Sequence, residues 1–250
     1  MSPPLACWQL RQPRHRAERH AMTDDDPTAE PRGTGSARDF LPATHSLPVL
    51  REAVQRCQGC GLYAFATQAV FGEGPRSADV MFVGEQPGDK EDLAGQPFVG
   101  PAGQLFDRAL AAAGIDRSTV YVTNIVKHFK WKRTLGSTRA PGKRRLHDKP
   151  NTYEVTACKP WLETEIAAVK PRIVVCLGST AAQGLLGKQF RVTKERGQFF
   201  ESEAAALMMA TVHPSSILRA ASDADRQSEM AEFIRDLERV AEKLEELAKD

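Results

Sequence analysis

The sequence predicts an α/β protein with three layers, α/β/α, whose central sheet contains four mostly parallel strands. Short apolar runs alternate along the chain with longer segments of helical periodicity, which is typical of a parallel sheet covered by helices on both faces. Of the 250 residues, 41% are hydrophobic and 26% are charged, so the chain has enough apolar side chains for a core. No apolar run approaches the roughly 20 residues of a membrane span, so we expect no membrane partner.

The predicted strands are short apolar runs that end at or directly before glycine or a polar residue, and they cover residues 79–84, 120–124, 173–178 and 207–212. Apolar residues at helical spacing predict helices around them. The predicted helices cover residues 47–54, 102–113, 154–170, 179–186 and 225–247. The start of the chain has no periodicity, so we expect a disordered tail over residues 1–44 and a single domain over residues 45–250.

Residues 130–151 predict a long and strongly basic loop. From Lys130 to Lys149 the chain has eight Lys and Arg residues against the single acid Asp148, although the net charge of the whole chain is only +2. A local basic segment favours a polyanion as partner. The simpler alternative is a solvated surface loop.

The chain has five cysteines: Cys7, Cys57, Cys60, Cys158 and Cys176. The count is odd, two of the cysteines form a C-x-x-C pair, and no apolar signal segment follows the basic N-terminus. This pattern favours a reducing cytoplasm and a metal or redox role over a disulfide framework.

Ligands of a parallel sheet bind beyond the carboxyl ends of its strands, and polar residues follow the predicted strands there. Glu85, Asn124 and His213 each come directly at or after such an end. Phe98 lies in a loop between proline and glycine, where its ring can stack on a planar ligand or fill the core.

The segment from His213 to Arg219 has two interpretations. The imidazole of His213 can donate to an anionic oxygen, and Ser215, Ser216 and Arg219 can bind phosphate. Alternatively, the segment is a helix start in which a serine serves as the cap.

Taken together, these motifs resemble the uracil-DNA glycosylase superfamily. The resemblance rests on the turn over residues 84–89, the loop over residues 97–103, Asn124 at a strand end and the segment over residues 213–219. The Cys57 and Cys60 pair before the first strand is similar to the iron–sulfur, type 4 branch. The segment over residues 143–147 resembles the Lys-Arg-Arg-Ile-His segment of the UdgX group, with Leu146 in place of isoleucine and a longer preceding loop.

The resemblance implies an activity and roles for residues. Members of the UdgX group cleave uracil from DNA, and the histidine of the segment then bonds to the abasic sugar, which makes His147 the expected nucleophile. Phe98 would stack on uracil, Asn124 would read its Watson–Crick edge, and His213 would stabilise the departing base. Glu85 would stabilise the cationic sugar and take the His147 proton.

The same resemblance implies further contacts to base and DNA. Gln86 and Asp89, from the turn after the first strand, are expected to contact uracil. A second group is expected to contact DNA phosphates or to hold the basic loop against neighbouring acids. Its members are Lys143, Arg144, Arg145, Ser215, Ser216 and Arg219.

A 4Fe–4S cluster is also implied. Cys57, Cys60 and Cys158 match cluster ligands of the type 4 branch. In the place of that branch's fourth cysteine this sequence has His128, and imidazole can bind cluster iron. Cys176, inside an apolar strand, is the rival fourth ligand, and zinc with the same ligands is the chemical alternative.

Three hypotheses about function remain open at this point. The first is a glycosylase that ends covalently bonded to uracil-containing DNA and acts once. The second is a hydrolytic, turnover type 4 uracil-DNA glycosylase in which His147 only helps to bind DNA. The third is an iron–sulfur DNA-binding module without catalysis. In each case we expect a cytoplasmic monomer.

Overall fold

A computed structural model describes residues 33–133, 145–202, 205 and 207–249 of the chain. The described strands are β1 (Val80–Gly84), β2 (Tyr121–Asn124), β3 (Trp131–Arg133), β4 (Arg145–His147), β5 (Ile173–Leu177), β6 (Phe199–Glu201) and β7 (Leu207–Thr211). Among the described residues, five strands form one sheet in the order β2-β1-β5-β7-β6. The four predicted strands are confirmed as its parallel members, β2, β1, β5 and β7.

The fifth strand is a difference from the predicted four-stranded sheet. β6 pairs antiparallel with β7 at the sheet edge. It is only three residues long, and its side chains are not fully buried. So short a segment shows no periodicity of its own, and its pairing with β7 defines it.

Helices cover both faces of the sheet, which confirms the predicted three layers. The described α-helices are α1 (Leu47–Ala53), α2 (Asp89–Ala94), α3 (Pro101–Ala112), α4 (Thr152–Val169), α5 (Ser179–Leu185), α6 (Val192–Glu195), α7 (Pro214–Leu218) and α8 (Asp223–Leu247). One apolar core lies under α1, α4 and α5, and the other lies under α3, α7 and α8. No helix among the described residues is both long enough and apolar enough to cross a membrane.

Local sequence signals set several helix ends. Pro101 begins α3, where the missing N–H of proline costs no hydrogen bond. Asn151 and Glu154 form a reciprocal capping box at the start of α4. The same helix ends at Lys170, which adopts a left-handed conformation immediately before Pro171.

The ordered chain begins earlier than predicted. The tail prediction for residues 1–44 is corrected over residues 33–44, while residues 1–32, which include Cys7, lie outside the described residues. The Thr34 and Gly35 N–H groups donate to the carbonyls of Gln58 and Gly59 at 2.9 and 3.0 Å, and Ala37 is fully buried. These contacts join residues distant in sequence, so composition alone does not reveal them.

The basic segment contains a hairpin where a long loop was predicted. β3 and β4 pair antiparallel, with Trp131 opposite His147. Gln86, which follows β1, fastens the base of this hairpin. Its amide nitrogen donates to the carbonyls of Lys130 and Asp148 at 3.2 and 3.0 Å, and its oxygen accepts from the Lys130 N–H at 3.1 Å.

Arg145 is the second anchor of the hairpin. Its guanidinium binds Asp92 at 2.5 Å and Asp89 at 2.6 Å, and Asp92 is fully buried. The guanidinium also lies 5.4 and 5.7 Å from the ring centroids of Phe129 and Trp131. Burial acts to lower the pKa of Arg145, but the two carboxylates outweigh burial and raise it. The hairpin is therefore held by a contact in which the guanidinium of Arg145 keeps its charge.

The substitution Arg145→Met is expected to lower the free energy of unfolding by about 3 kcal/mol, because it leaves the buried carboxylate of Asp92 without its cation. Urea denaturation measures this loss. Lys132→Met on the same hairpin is the matched control, since Lys132 is 71% exposed where it pairs with Asp148, and its loss should stay below about 1 kcal/mol. Equal losses in the two variants would contradict an anchoring role for Arg145.

Candidate active site

Side chains from neighbouring strands meet at the carboxyl edge of the sheet, as predicted. Gly84, the last residue of β1, is paired in register with Asn124, the last residue of β2. A Cβ atom at Gly84 would overlap Oδ1 of Asn124 and lie 2.9 Å from Cζ of Phe98. Glycine at this position therefore lets the amide of Asn124 and the ring of Phe98 approach each other.

Phe98 is held in an unusual backbone conformation. Its φ angle is +59°, a left-handed value that costs a non-glycine residue of the order of 1 kcal/mol. Gly103 makes the turn possible, because a Cβ atom there would overlap the carbonyl of Phe98. The Phe98 ring lies 5.4 Å from the ring of Phe106 and 6.4 Å from the imidazole of His213, with 29° between the latter planes. The ring thus contacts the core and also borders the site.

Both carboxylate oxygens of Glu85 are hydrogen-bonded. Oε1 lies 3.2 Å from Nε2 of His147, and Oε2 accepts from the hydroxyl of Thr180. Burial acts to raise the pKa of Glu85, but the contacts with His147 and Thr180 outweigh it, so the pKa lies below its usual value. The carboxylate is therefore ionised at neutral pH.

Sequence reasoning missed Thr180. It lies in the first turn of α5, directly after β5, and is buried. The signal that could have found it was present, because β5 ends at the same edge of the sheet as β1, β2 and β7.

His147 lies beside Glu85, at the surface of the site. It is the last residue of β4, and its side chain is 51% exposed. Its imidazole ring lies 6.2 Å from the ring of Phe129. The hairpin therefore brings an accessible imidazole to a partly buried carboxylate.

His213 is the N-cap residue of α7, the short helix after β7. Its Nδ1 accepts from the Ser215 N–H at 3.1 Å and lies 2.8 Å from the Ser215 hydroxyl oxygen. Burial lowers the pKa of His213 to about 4, so the ring is neutral at pH 7. Because Nδ1 accepts, the proton of the neutral ring is on Nε2, which is free to act as a donor.

Several other predicted site residues have structural partners in this molecule. Gln86 and Asp89 contact the hairpin, as described above, through their side chains. The Ser215 N–H donates to the ring of His213, and the Ser216 hydroxyl donates to the carbonyl of His213 at 2.8 Å. Both contacts are expected for the helix-start alternative. Arg219 is exposed at the end of α7. Lys143 and Arg144 lie outside the described residues.

Three of the predicted cluster ligands are buried and act on one another. Burial, followed by the neighbouring thiols of Cys60 and Cys57, raises the pKa of Cys158. The Sγ atom of Cys158 accepts a hydrogen bond from the N–H of Lys127 at 3.2 Å. For Cys176, in contrast, burial alone raises the pKa to about 12. The three thiols thus share one region, and Cys176 is not among their electrostatic neighbours.

The fourth predicted ligand, His128, follows Lys127 and is only 4% exposed. Burial lowers its pKa to about 4, so it is neutral, as a metal-binding imidazole must be. Within the described part of the chain, no three His, Cys, Asp or Glu side chains are grouped to hold a single metal ion. The four side chains nevertheless suit a cluster in their chemistry and burial, and the three thiols share one buried region.

A buried ion pair joins this region to the site. Lys127 and Glu165 are fully buried and in direct contact. Nζ of Lys127 also donates to the hydroxyl of Thr123 and to the carbonyl of Asn124, both at 2.7 Å. Sequence reasoning missed this pair, because no local pattern marks the contact between Lys127, after β2, and Glu165, in α4.

The imidazole of His213 is expected to remain in its neutral Nε2–H form from about pH 8 down to about pH 5, well below the usual histidine pKa of about 6.5. Burial disfavours the charged form, and protonation of Nδ1 would break the contact with the Ser215 N–H. Nitrogen-15 chemical shifts of the ring, assigned with the variant His213→Gln, measure the tautomer. Half-protonation near pH 6.5 would show that the ring is not desolvated.

The chain matches known proteins over most of its length. Residues 71–238 match the family described as the Uracil DNA glycosylase superfamily. The chain is 37% identical over 180 residues to the type-4 uracil-DNA glycosylase of Pyrobaculum aerophilum, covering 69% of this chain and 85% of that protein. It is 36% identical over 174 residues to the type-4 uracil-DNA glycosylase of Thermotoga maritima, covering 69% and 83%. The chain belongs to the uracil-DNA glycosylase superfamily.

Proposed function

We propose that this protein excises uracil from DNA and then becomes bonded through His147 to C1′ of the abasic sugar. The family and its relatives named type-4 uracil-DNA glycosylase support uracil excision. The observation that supports the covalent step is the 3.2 Å contact between Nε2 of His147 and Oε1 of Glu85 at the strand ends. An accessible imidazole within hydrogen-bond reach of a carboxylate is the arrangement that a nucleophile and its base require.

The pocket residues suit uracil. A uracil inside a duplex is unreachable, so it enters either flipped out or from single-stranded DNA. Phe98 stacks on the ring, and the Asn124 amide pairs with the Watson–Crick edge, since it offers both a donor and an acceptor. Cytosine reverses that edge pattern and is rejected. Nε2–H of His213 donates to uracil O2, where negative charge grows as the base departs.

The reaction balances with the residues at hand. The bond from C1′ to the uracil nitrogen breaks, its electron pair leaves with the base, and the sugar becomes an oxocarbenium-like cation. The ionised Glu85 stabilises that cation. A ring nitrogen of His147 then supplies the electron pair for a new bond to C1′, and the Nε2 proton of His147 passes to Oε1 of Glu85. The product has no obvious leaving route, so each protein molecule acts once.

The second candidate function is hydrolytic turnover, which is equally consistent with the similarity to proteins named type-4 uracil-DNA glycosylase. In this reaction, water attacks C1′ with Glu85 as the base, and His147 only contacts DNA. The half-exposed position of His147 suits either role.

Incubation with a uracil-containing oligonucleotide is expected to give a protein–DNA band that survives heat and detergent on a denaturing gel. His147→Ser should abolish this band, because serine lacks the nucleophilic ring nitrogen. His45→Ser is the matched control, since His45 is exposed and lies in a different part of the chain, and it should react like the wild type.

Two other results would contradict the covalent proposal. Free abasic DNA without a shifted band would support hydrolytic turnover. Uracil left intact after long incubation, together with salt-sensitive DNA binding, would support a DNA-binding module without catalysis.

We further propose that Cys57, Cys60, Cys158 and His128 bind a 4Fe–4S cluster. The three thiols share one buried region, and the Lys127 N–H that donates to Cys158 suits a thiolate ligand. When bound, the cluster ties the chain before β1 to α4 and stabilises the fold without entering the reaction. Cys176 is the less favoured fourth ligand, because it has no thiol among its electrostatic neighbours.

Iron and sulfide analysis of the purified protein is expected to find about four of each per chain, with visible absorption that gives a brown colour. Cys158→Ser should lower both contents and the thermal stability, because it removes a ligand. Cys176→Ser, a buried thiol of the same kind, is the matched control and should keep the iron. Stoichiometric zinc without iron would contradict the cluster, and iron loss in Cys176→Ser alone would make Cys176 the ligand.

We also propose that Lys143, Arg144 and Arg219 contact DNA phosphates, as the sequence predicts. Arg219 is exposed at the end of α7, next to the segment that holds His213. Such contacts add affinity without reading sequence. The protein is proposed to act as a cytoplasmic monomer on uracil-containing DNA.

A further inference from the structure

Glu85 follows β1 as part of a turn, and its two oxygens are bound by elements that are distant in sequence. Oε1 contacts His147 from the hairpin, and Oε2 accepts from Thr180 at the start of α5. The hydroxyl must be the donor, because an ionised carboxylate has only acceptors. Thr180 therefore determines which oxygen of Glu85 is left for His147.

Thr180 is well placed to hold that orientation. It is only 7% exposed, and it belongs to a helix that packs against the central sheet. A β-branched side chain in a helix has few rotamers, so its hydroxyl has little freedom to turn away. By contrast, His147 is on a hairpin at the surface and is half exposed. Of the two partners of Glu85, Thr180 is the more rigid one.

We propose that Thr180 is a positioning residue for the reaction, which orients the Glu85 carboxylate so that Oε1 faces His147 and the reacting sugar. This inference rests on the proposed function, in which Glu85 stabilises the cationic sugar and takes a proton. Thr180 itself contacts neither the sugar nor the base in that scheme.

The hydrogen bond has a second effect, on ionisation. The titratable groups that face Glu85 are His147 from β4 and His213 from the end of β7. Burial opposes ionisation of the carboxylate, and the Thr180 hydroxyl is one of the contacts that reverse that effect. A donor to the charged form lowers a pKa, so loss of this hydroxyl must raise the pKa of Glu85. Less carboxylate is then ionised at acidic pH.

The substitution Thr180→Val, which keeps the shape and removes the hydroxyl, tests the proposal. Uracil release and adduct formation are measured together in single turnover from acidic to neutral pH. We expect both rates to fall at least about tenfold at neutral pH, the size typical of a lost hydrogen bond to a charged group. The acid limb of the pH profile should move to higher pH. Thr180→Ser, which restores a hydroxyl, should recover both the rate and the wild-type limb.

A matched control separates this role from simple stability. Ser179→Ala changes the neighbouring hydroxyl, which is exposed, and should leave the pH profile unchanged. Thr180→Val with a wild-type profile and only a lower melting temperature would overturn the proposal. A Thr180→Ser variant whose pH profile keeps the shifted acid limb would overturn it as well.

The test is independent of the covalent step. If the wild type releases uracil without an adduct, the covalent proposal fails, while the uracil-release profile still tests Thr180, because Glu85 stabilises the sugar in both reactions. If the wild type releases no uracil at all, the function proposed for the site fails, and the role of Thr180 in the reaction fails with it.

Discussion

The rest of the site depends on how the structure satisfies one partly buried carboxylate, that of Glu85. Burial acts to raise the pKa of Glu85, and hydrogen-bond donors outweigh that effect and lower it. His147 and Thr180 are those donors, and they approach from a hairpin and from a helix that are otherwise unrelated. This charge therefore joins the hairpin and α5 at the end of β1, and it brings a carboxylate beside an imidazole.

The hairpin explains how His147, from the basic segment, reaches the site in a defined position. Gln86 joins both strands at the base of the hairpin through three hydrogen bonds. Arg145 fastens its outer strand to the buried Asp92, two residues before His147. Gln86 and Glu85 are adjacent in sequence, so the residue that holds the hairpin and the residue that contacts the imidazole move together. A surface segment thereby acquires the precision that catalysis needs.

The buried pair of Lys127 and Glu165 lies beside Asn124, at the end of β2. A fully buried ion pair is costly unless every polar atom has a partner, and here Thr123 and the carbonyl of Asn124 provide further contacts for Lys127. The backbone N–H of the same lysine donates to Cys158. Lys127 thus connects Cys158, on α4, with the strand end that carries the Asn124 amide. A cluster at the thiols would accordingly support the pocket through structure alone.

The sequence by itself determined the four parallel strands, the main helices and the positions of Glu85, Asn124 and His213 at strand ends, because apolar periodicity and strand polarity are local properties. Only the tertiary structure decided the antiparallel edge strand, the ordered residues before 45 and the hairpin within the basic segment. Each of these is defined by hydrogen bonds to residues that are distant in the sequence. It also decided which side chains have partners inside the protein: Gln86 and Asp89 contact the hairpin, and Thr180 contacts Glu85. Such choices depend on burial and on competition among polar groups, which no local pattern encodes.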